Sequence, residues 1–124
     1  MWVKVNANPA GKRVGDCVIR AISVATGMPW VYVYDQLHAV GRYEFDMMSS
    51  NDVWGLYLYW MGLEPFVLPS DCPDCVTVKE FTKFFPDGTY IIGTGSHAVA
   101  VIDGNYFDTF DSGGLVVSYF FAVD

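Results

Sequence analysis

Residues Thr89 to Val123 read TYIIGTGSHAVAVIDGNYFDTFDSGGLVVSYFFAV, and here the apolar period of the chain changes. The runs TYIIG, HAVAVI, NYFDTF and LVVSYFFAV are rich in β-branched and aromatic residues, and GTGS, DG and DSGG separate them. That is the pattern of strands joined by tight turns, and it predicts an antiparallel meander. If Asp103 and Gly104 are the two turn residues, paired positions keep a constant sum. Ile102 then faces Asn105, Val99 faces Asp108 and His97 faces Phe110, so His97 and Asp108 share a face on the diagonal. A loop one residue longer, running through Asn105, would put Asp111 across from His97. Both carboxylates stay open, with the shorter loop preferred.

The chain ahead of these strands has helical spacing. In RVGDCVIRAIS (Arg13–Ser23), Asp16 can cap a helix that starts at Cys17, carries Val18, Ala21, Ile22 and Ala25 on one face and stops at Gly27. PWVYVYDQLHAV (Pro29–Val40) predicts a second helix up to Gly41, GRYEFDMMSS a loop, and SSNDVWGLYLYWMG (Ser49–Gly62) a third helix capped by Ser50 or Asn51. The third is aromatic on almost every side, so it is expected to be well buried. LEPFVLPSDCPDC (Leu63–Cys75) reads as a short extended piece and a loop. Thr77 and Glu80 form a capping box for a short fourth helix that Pro86 ends. Helices first and strands afterwards indicate α+β, with N-terminal helices packed on a C-terminal antiparallel sheet, in one domain spanning residues 1–124.

With 124 residues, 52% of them hydrophobic and 17% aromatic, the chain is not disordered, and no apolar stretch approaches the roughly 20 residues of a membrane span. Seven basic against fourteen acidic residues give a net charge of −7, which repels phosphate backbones, so neither nucleic acid nor a membrane is an expected partner. The N-terminus MWVKVNANPAGKRVG lacks the apolar core of a secretory signal, which points to the cytoplasm and reduced thiols. Three cysteines, an odd number, argue against a disulfide scaffold. Cys72 and Cys75, in CPDC, are expected to be loop thiols: a structural zinc site needs four ligands, and a thioredoxin-type pair needs a parallel βαβ setting. No metal and no cofactor are expected.

The chemistry centres on Cys17. The first turn of a helix favours a thiolate, Asp16 beside it opposes one, and a histidine is therefore needed nearby. His38 sits among ordinary helix residues and reads as structural. His97 opens a strand after the flexible GTGS loop, where a partner can approach closely. A carboxylate on one imidazole nitrogen, from Asp108 or Asp111, would fix the tautomer and support an imidazolium that stabilises the thiolate. Arg20 is expected to form a structural salt bridge, with Asp16 as one candidate partner.

The order of helix-borne cysteine, strand-start histidine and acid on the next strand resembles the papain-like cysteine peptidase superfamily, including its small bacterial members such as the double-glycine leader peptidases. NPAGKRVGDCVIRAIS with GTYIIGTGSHAVAVIDGNYFDTFDSG looks like a group of small phage and bacterial proteins, and these motifs cover about a third of the chain. The resemblance implies a papain-like core in a bacterial or phage-infected host cell, with Cys17 as nucleophile, His97 as general base and acid, and Asp108 or Asp111 as the orienting residue. The implied substrate is a peptide or protein, cut at a peptide or isopeptide bond. Transfer of the acyl group to an amine, as in transglutaminase-like enzymes, and a non-catalytic protein-interaction module are the alternatives. Papain has a glutamine shortly before its cysteine. Here Asn8 is the nearest amide for an oxyanion hole, with the Cys17 N–H as the other donor.

Overall fold

In the computed structural model, which describes residues 1–123, the elements are β1 (Trp2–Lys4), α1 (Cys17–Thr26), α2 (Trp30–Glu44), α3 (Asn51–Trp60), β2 (Pro65–Val67), α4 (Val78–Phe84), β3 (Thr89–Gly93), β4 (Ala98–Ile102), β5 (Asn105–Asp108) and β6 (Tyr119–Ala122). The class is α+β. The strands form one sheet in the order β1-β5-β4-β3-β6-β2.

At the centre of the sheet, β3, β4 and β5 are the expected meander. Thr89 pairs with Ile102 and Gly93 with Ala98. After the turn, Ile102 pairs with Asn105, Val101 with Tyr106 and Ala100 with Phe107. Asp103 and Gly104 have φ of 48° and 79°, so both turn residues are left-handed, as a two-residue type I′ hairpin loop requires.

The flanks differ from an all-antiparallel C-terminal sheet. β6 returns along β3 rather than extending from β5, β2 runs antiparallel on β6, and β1 pairs in parallel with β5 from Trp2↔Tyr106 to Lys4↔Asp108. A three-residue strand carries no measurable period, which is why β1 has no signature in the sequence. Nor is LVVSYFFAV one strand. Its first half bonds to other segments, with Val78 N donating to Leu115 O and Val117 N to Val76 O, and only Tyr119–Ala122 joins the sheet.

Strand alternation divides the core between two faces. Ile91, Ala98 and Phe121 pack with Ile22, Leu37, Trp54 and Leu58 of α1–α3. Ile92, Val99, Val101 and Phe120 face the other way, onto Val78 and Phe81 of α4. The capping box of α4 forms as expected: Glu80 N donates to Thr77 Oγ1 at 3.2 Å and Thr77 N to Glu80 Oε1 at 3.0 Å. Thr77→Ala is expected to lower stability by about 1 kcal/mol, read as a shift of the urea midpoint at unchanged slope.

Four local expectations are corrected. α2 runs through Gly41 to Glu44; Gly41 is buried where an added Cβ would lie 2.7 Å from Asp46 O, so the glycine lets the returning chain pack close. α3 buries Val53, Trp54, Tyr57 and Leu58 but leaves Tyr59 and Trp60 exposed, so position and not composition sets its inner face. Asp16 occupies the N-cap position of α1 without making a capping hydrogen bond, because its carboxylate is held elsewhere. Cys72 and Cys75 form a disulfide, their Cα atoms 4.6 Å apart. An odd cysteine count is thus met by one local pair and one free thiol, Cys17. No helix among the described residues is long and apolar enough to cross a membrane.

Candidate active site

Cys17 is the first residue of α1, which packs against β4 and the start of its hairpin. The His97 side chain and the Ala98 backbone N–H both lie close enough to its sulfur to lower the thiol's pKa. His97 stands one residue before β4, at the end of a tight loop closed by a bond from Thr94 N to His97 O. The β4–β5 register carries Asp108 onto the same face, and His97 Nε2 lies 2.6 Å from Asp108 Oδ2. With Nε2 on the carboxylate, Nδ1 is the ring nitrogen left for the sulfur.

Asp108 is 4% exposed and well held. Its Oδ1 accepts from Thr109 N at 2.8 Å and lies 3.6 Å from Arg20 Nη1, and the buried Ser112 hydroxyl is close by. Burial would raise its pKa, yet the bond from His97, the nearby Ser112 hydroxyl, the His97 charge and the Thr109 N–H outweigh burial and keep the carboxyl below its ordinary range. Burial acts on His97 in the opposite sense, and the bonds and charges of Asp108 and Cys17 overcome it, pushing the imidazole from 6.5 up to about 9. At Cys17 burial again favours the neutral form, but the His97 bond, the Ala98 N–H, the His97 charge and the Arg20 charge bring the thiol below its usual value. These three directions agree on one state, a thiolate beside an imidazolium backed by a carboxylate.

Asp16, which by position opposes a thiolate, is turned away from that task. Its Oδ2 accepts from Asn8 Nδ2 at 3.1 Å and Trp30 Nε1 at 3.0 Å. Arg20 Nε stands 2.9 Å from its Oδ1, off the line of a good hydrogen bond, as an i,i+4 ion pair. Arg20 reaches further than its own helix: Nη1 also donates to Thr109 Oγ1 at 3.1 Å, so one guanidinium ties Asp16, just ahead of α1, to the end of β5.

The other named candidates lie elsewhere. Asn8, considered for the oxyanion hole, gives its amide N–H to Asp16 and takes the Ala10 N–H on its oxygen, so it shapes the loop before α1. Asp111 accepts from the Tyr106 hydroxyl at 2.5 Å and from Gly113 N at 3.0 Å, away from His97, because the two-residue turn sets the register. His38 stacks on Tyr34 within α2.

A cleft of about 510 Å³ opens beside the sulfur, lined by Gly15, Cys17, Asn51, Trp54, Ser96 and His97 among others. Asn51 is more than the possible helix cap seen in the sequence. Its Nδ2 donates to Gly95 O at 3.0 Å, and its Oδ1 accepts from Trp54 Nε1 and the Tyr119 hydroxyl, so it fastens the loop before His97 to the start of α3. The first N–H groups of α1 have no partner within the helix, which leaves the Cys17 N–H as a donor beside the sulfur. No protein-family model, curated protein or solved structure matches this chain.

Proposed function

We propose that this protein is a thiol hydrolase with a papain-like core, in which Cys17, His97 and Asp108 act on a peptide or isopeptide bond. The observation that carries the reading is His97 placed between the Cys17 sulfur and Asp108, with Nε2 2.6 Å from Oδ2. The thiolate attacks the carbonyl carbon, and the developing oxyanion takes hydrogen bonds from backbone donors such as the Cys17 N–H. His97 passes its Nδ1 proton to the leaving amine as the C–N bond breaks, leaving a thioester on Cys17 and a neutral imidazole. That imidazole removes a proton from water, hydroxide displaces the sulfur, and acid product and thiolate–imidazolium pair are restored. Asp108 stays ionised throughout and holds the ring's orientation. The same thioester attacked by an amine instead of water gives acyl transfer.

The test is whether a thioester forms and turns over. With p-nitrophenyl acetate the protein is expected to show a burst of nitrophenol, an acetyl group on Cys17 by mass spectrometry and then its loss, whereas Cys17→Ala shows none of these. A Cys17 that is never acetylated, or that stays acetylated for hours, counts against the reading.

A further inference from the structure

Where β1 runs along the end of β5 lies a second hollow, about 430 Å³, lined by Lys4, Val5, Asn6, Gly11, Arg13 and Thr109. Two of these are cations and none is a carboxylate, in a protein with twice as many acidic as basic residues. The ion pairs among the described residues, Arg20 with Asp16 and Asp108 and His97 with Asp108, leave out every other lysine and arginine, Lys4, Lys12 and Arg13 among them. All three are exposed.

The hollow is fixed to the catalytic elements. Lys4 is the register partner of Asp108 in the β1–β5 pair, and Thr109 follows Asp108 directly. The loop that brings Arg13 across is braced from within: Asn6 Oδ1 accepts from Asn8 N, Asn6 Nδ2 donates to Lys12 O, and Gly11, at φ +66°, donates to Asn8 O. Through Asn8 Nδ2 on Asp16 this loop is tied to the start of α1, and the residues between Arg13 and Cys17 include Gly15 of the cleft. One cation, Lys4, therefore stands opposite Asp108 in the β1–β5 register, and the other, Arg13, sits on a braced loop four residues before Cys17.

We propose that this hollow is a subsite for the acidic side chains of a peptide chain lying across the site. The inference rests on the reading of Cys17, His97 and Asp108 as the reacting centre, and it names the class of peptide that centre receives. Carboxylates suit the site better than a nucleic acid, because a polyanionic backbone would meet the net negative charge beyond this hollow, whereas one or two carboxylates meet only Lys4 and Arg13. The rest of the acidic surface repels such a peptide, so the hollow also sets its direction across the cleft.

The experiment measures binding to Cys17→Ala, in which nothing can react, using a hexapeptide of alternating glutamate and glycine carrying an uncharged dye. The glutamine–glycine peptide and a short single-stranded DNA are the comparison probes. The acidic peptide is expected to bind more tightly than the neutral one by about tenfold at low salt, and the advantage should shrink as ionic strength rises. Adding Lys4→Gln and Arg13→Gln to Cys17→Ala should remove that advantage, while adding Arg42→Gln, on α2, should leave it intact. Equal binding of the two peptides, no binding of either, an unchanged advantage in the double replacement, or tighter binding of the DNA would each overturn the inference. None of these readouts depends on thioester formation, so failure here is distinct from failure of the hydrolase reading.

Discussion

Replacement of His97 by alanine is expected to slow alkylation of Cys17 at about pH 6 by at least tenfold, with the rate recovering only as the pH approaches that of an ordinary or raised thiol. In the intact protein burial pushes the thiol toward its neutral form, and the bond and charge of His97 are the main forces pulling it back. Without the imidazole, the Ala98 N–H and the Arg20 charge remain against undiminished burial. The thiol should then titrate near or above its usual value instead of below it.

The sign of the stability change follows from the same pair. His97 is raised from 6.5 to about 9, so its charged form contributes stability that is complete below pH 6.5 and is lost as pH rises through about 9. Cys17 is lowered, so its contribution is complete at high pH and is lost as pH falls through its folded value. The ion pair therefore exists in a window that closes on the alkaline side near pH 9. The measurement is the rate of iodoacetamide labelling followed by mass spectrometry. Cys17 is the one free thiol and Cys72 and Cys75 are bonded, so total labelling reports it alone. Superimposable pH profiles for the two proteins would show that the imidazole does not govern the sulfur.

Asp108→Ala is the replacement with the largest expected effect on folding, a loss of about 3–5 kcal/mol. The carboxylate is 4% exposed and faces two cations, the His97 imidazolium and the Arg20 guanidinium, and truncation leaves both with one anion fewer in a place water scarcely reaches. Arg20 keeps Asp16, whereas His97 keeps only the thiolate, so the imidazole should fall back from about 9 toward its ordinary value. Asp108→Asn separates the charge from the space: volume and an acceptor stay, so the stability loss should be smaller, but the drop in the His97 titration should persist. Urea unfolding and histidine NMR read the two effects. A Asp108→Ala protein as stable as the parent would mean that the two cations are better solvated than their burial implies.

The meander, the fourth helix and the His97–Asp108 diagonal were legible because each rests on short-range rules. Left-handed Asp103-Gly104 fixes a register, the register fixes a face, and Thr77 with Glu80 fixes a helix start. Elements set by distant partners were not legible. β1 exists because Trp2–Lys4 finds the free edge of β5, and β6 sits beside β3 because β5 already has β1 on its other side. The same division runs through the site. The role of Arg20 toward Asp16 follows from i,i+4 spacing, but its reach to Thr109 and Asp108 joins residues 88 and 89 positions apart, and spacing says nothing about that. Asn51 likewise looks like a cap from its neighbours and becomes a fastener only when Gly95 is beside it.

Cys17 and Arg20 lie one turn apart on α1, and both engage the same hairpin, the first through His97 and Ala98, the second through Asp108 and Thr109. A helix stapled at two rungs can neither roll nor slide without releasing both. The acidity of the sulfur is therefore a gauge of docking: a chain whose helix has loosened from the sheet loses at once the contacts that lower the Cys17 thiol.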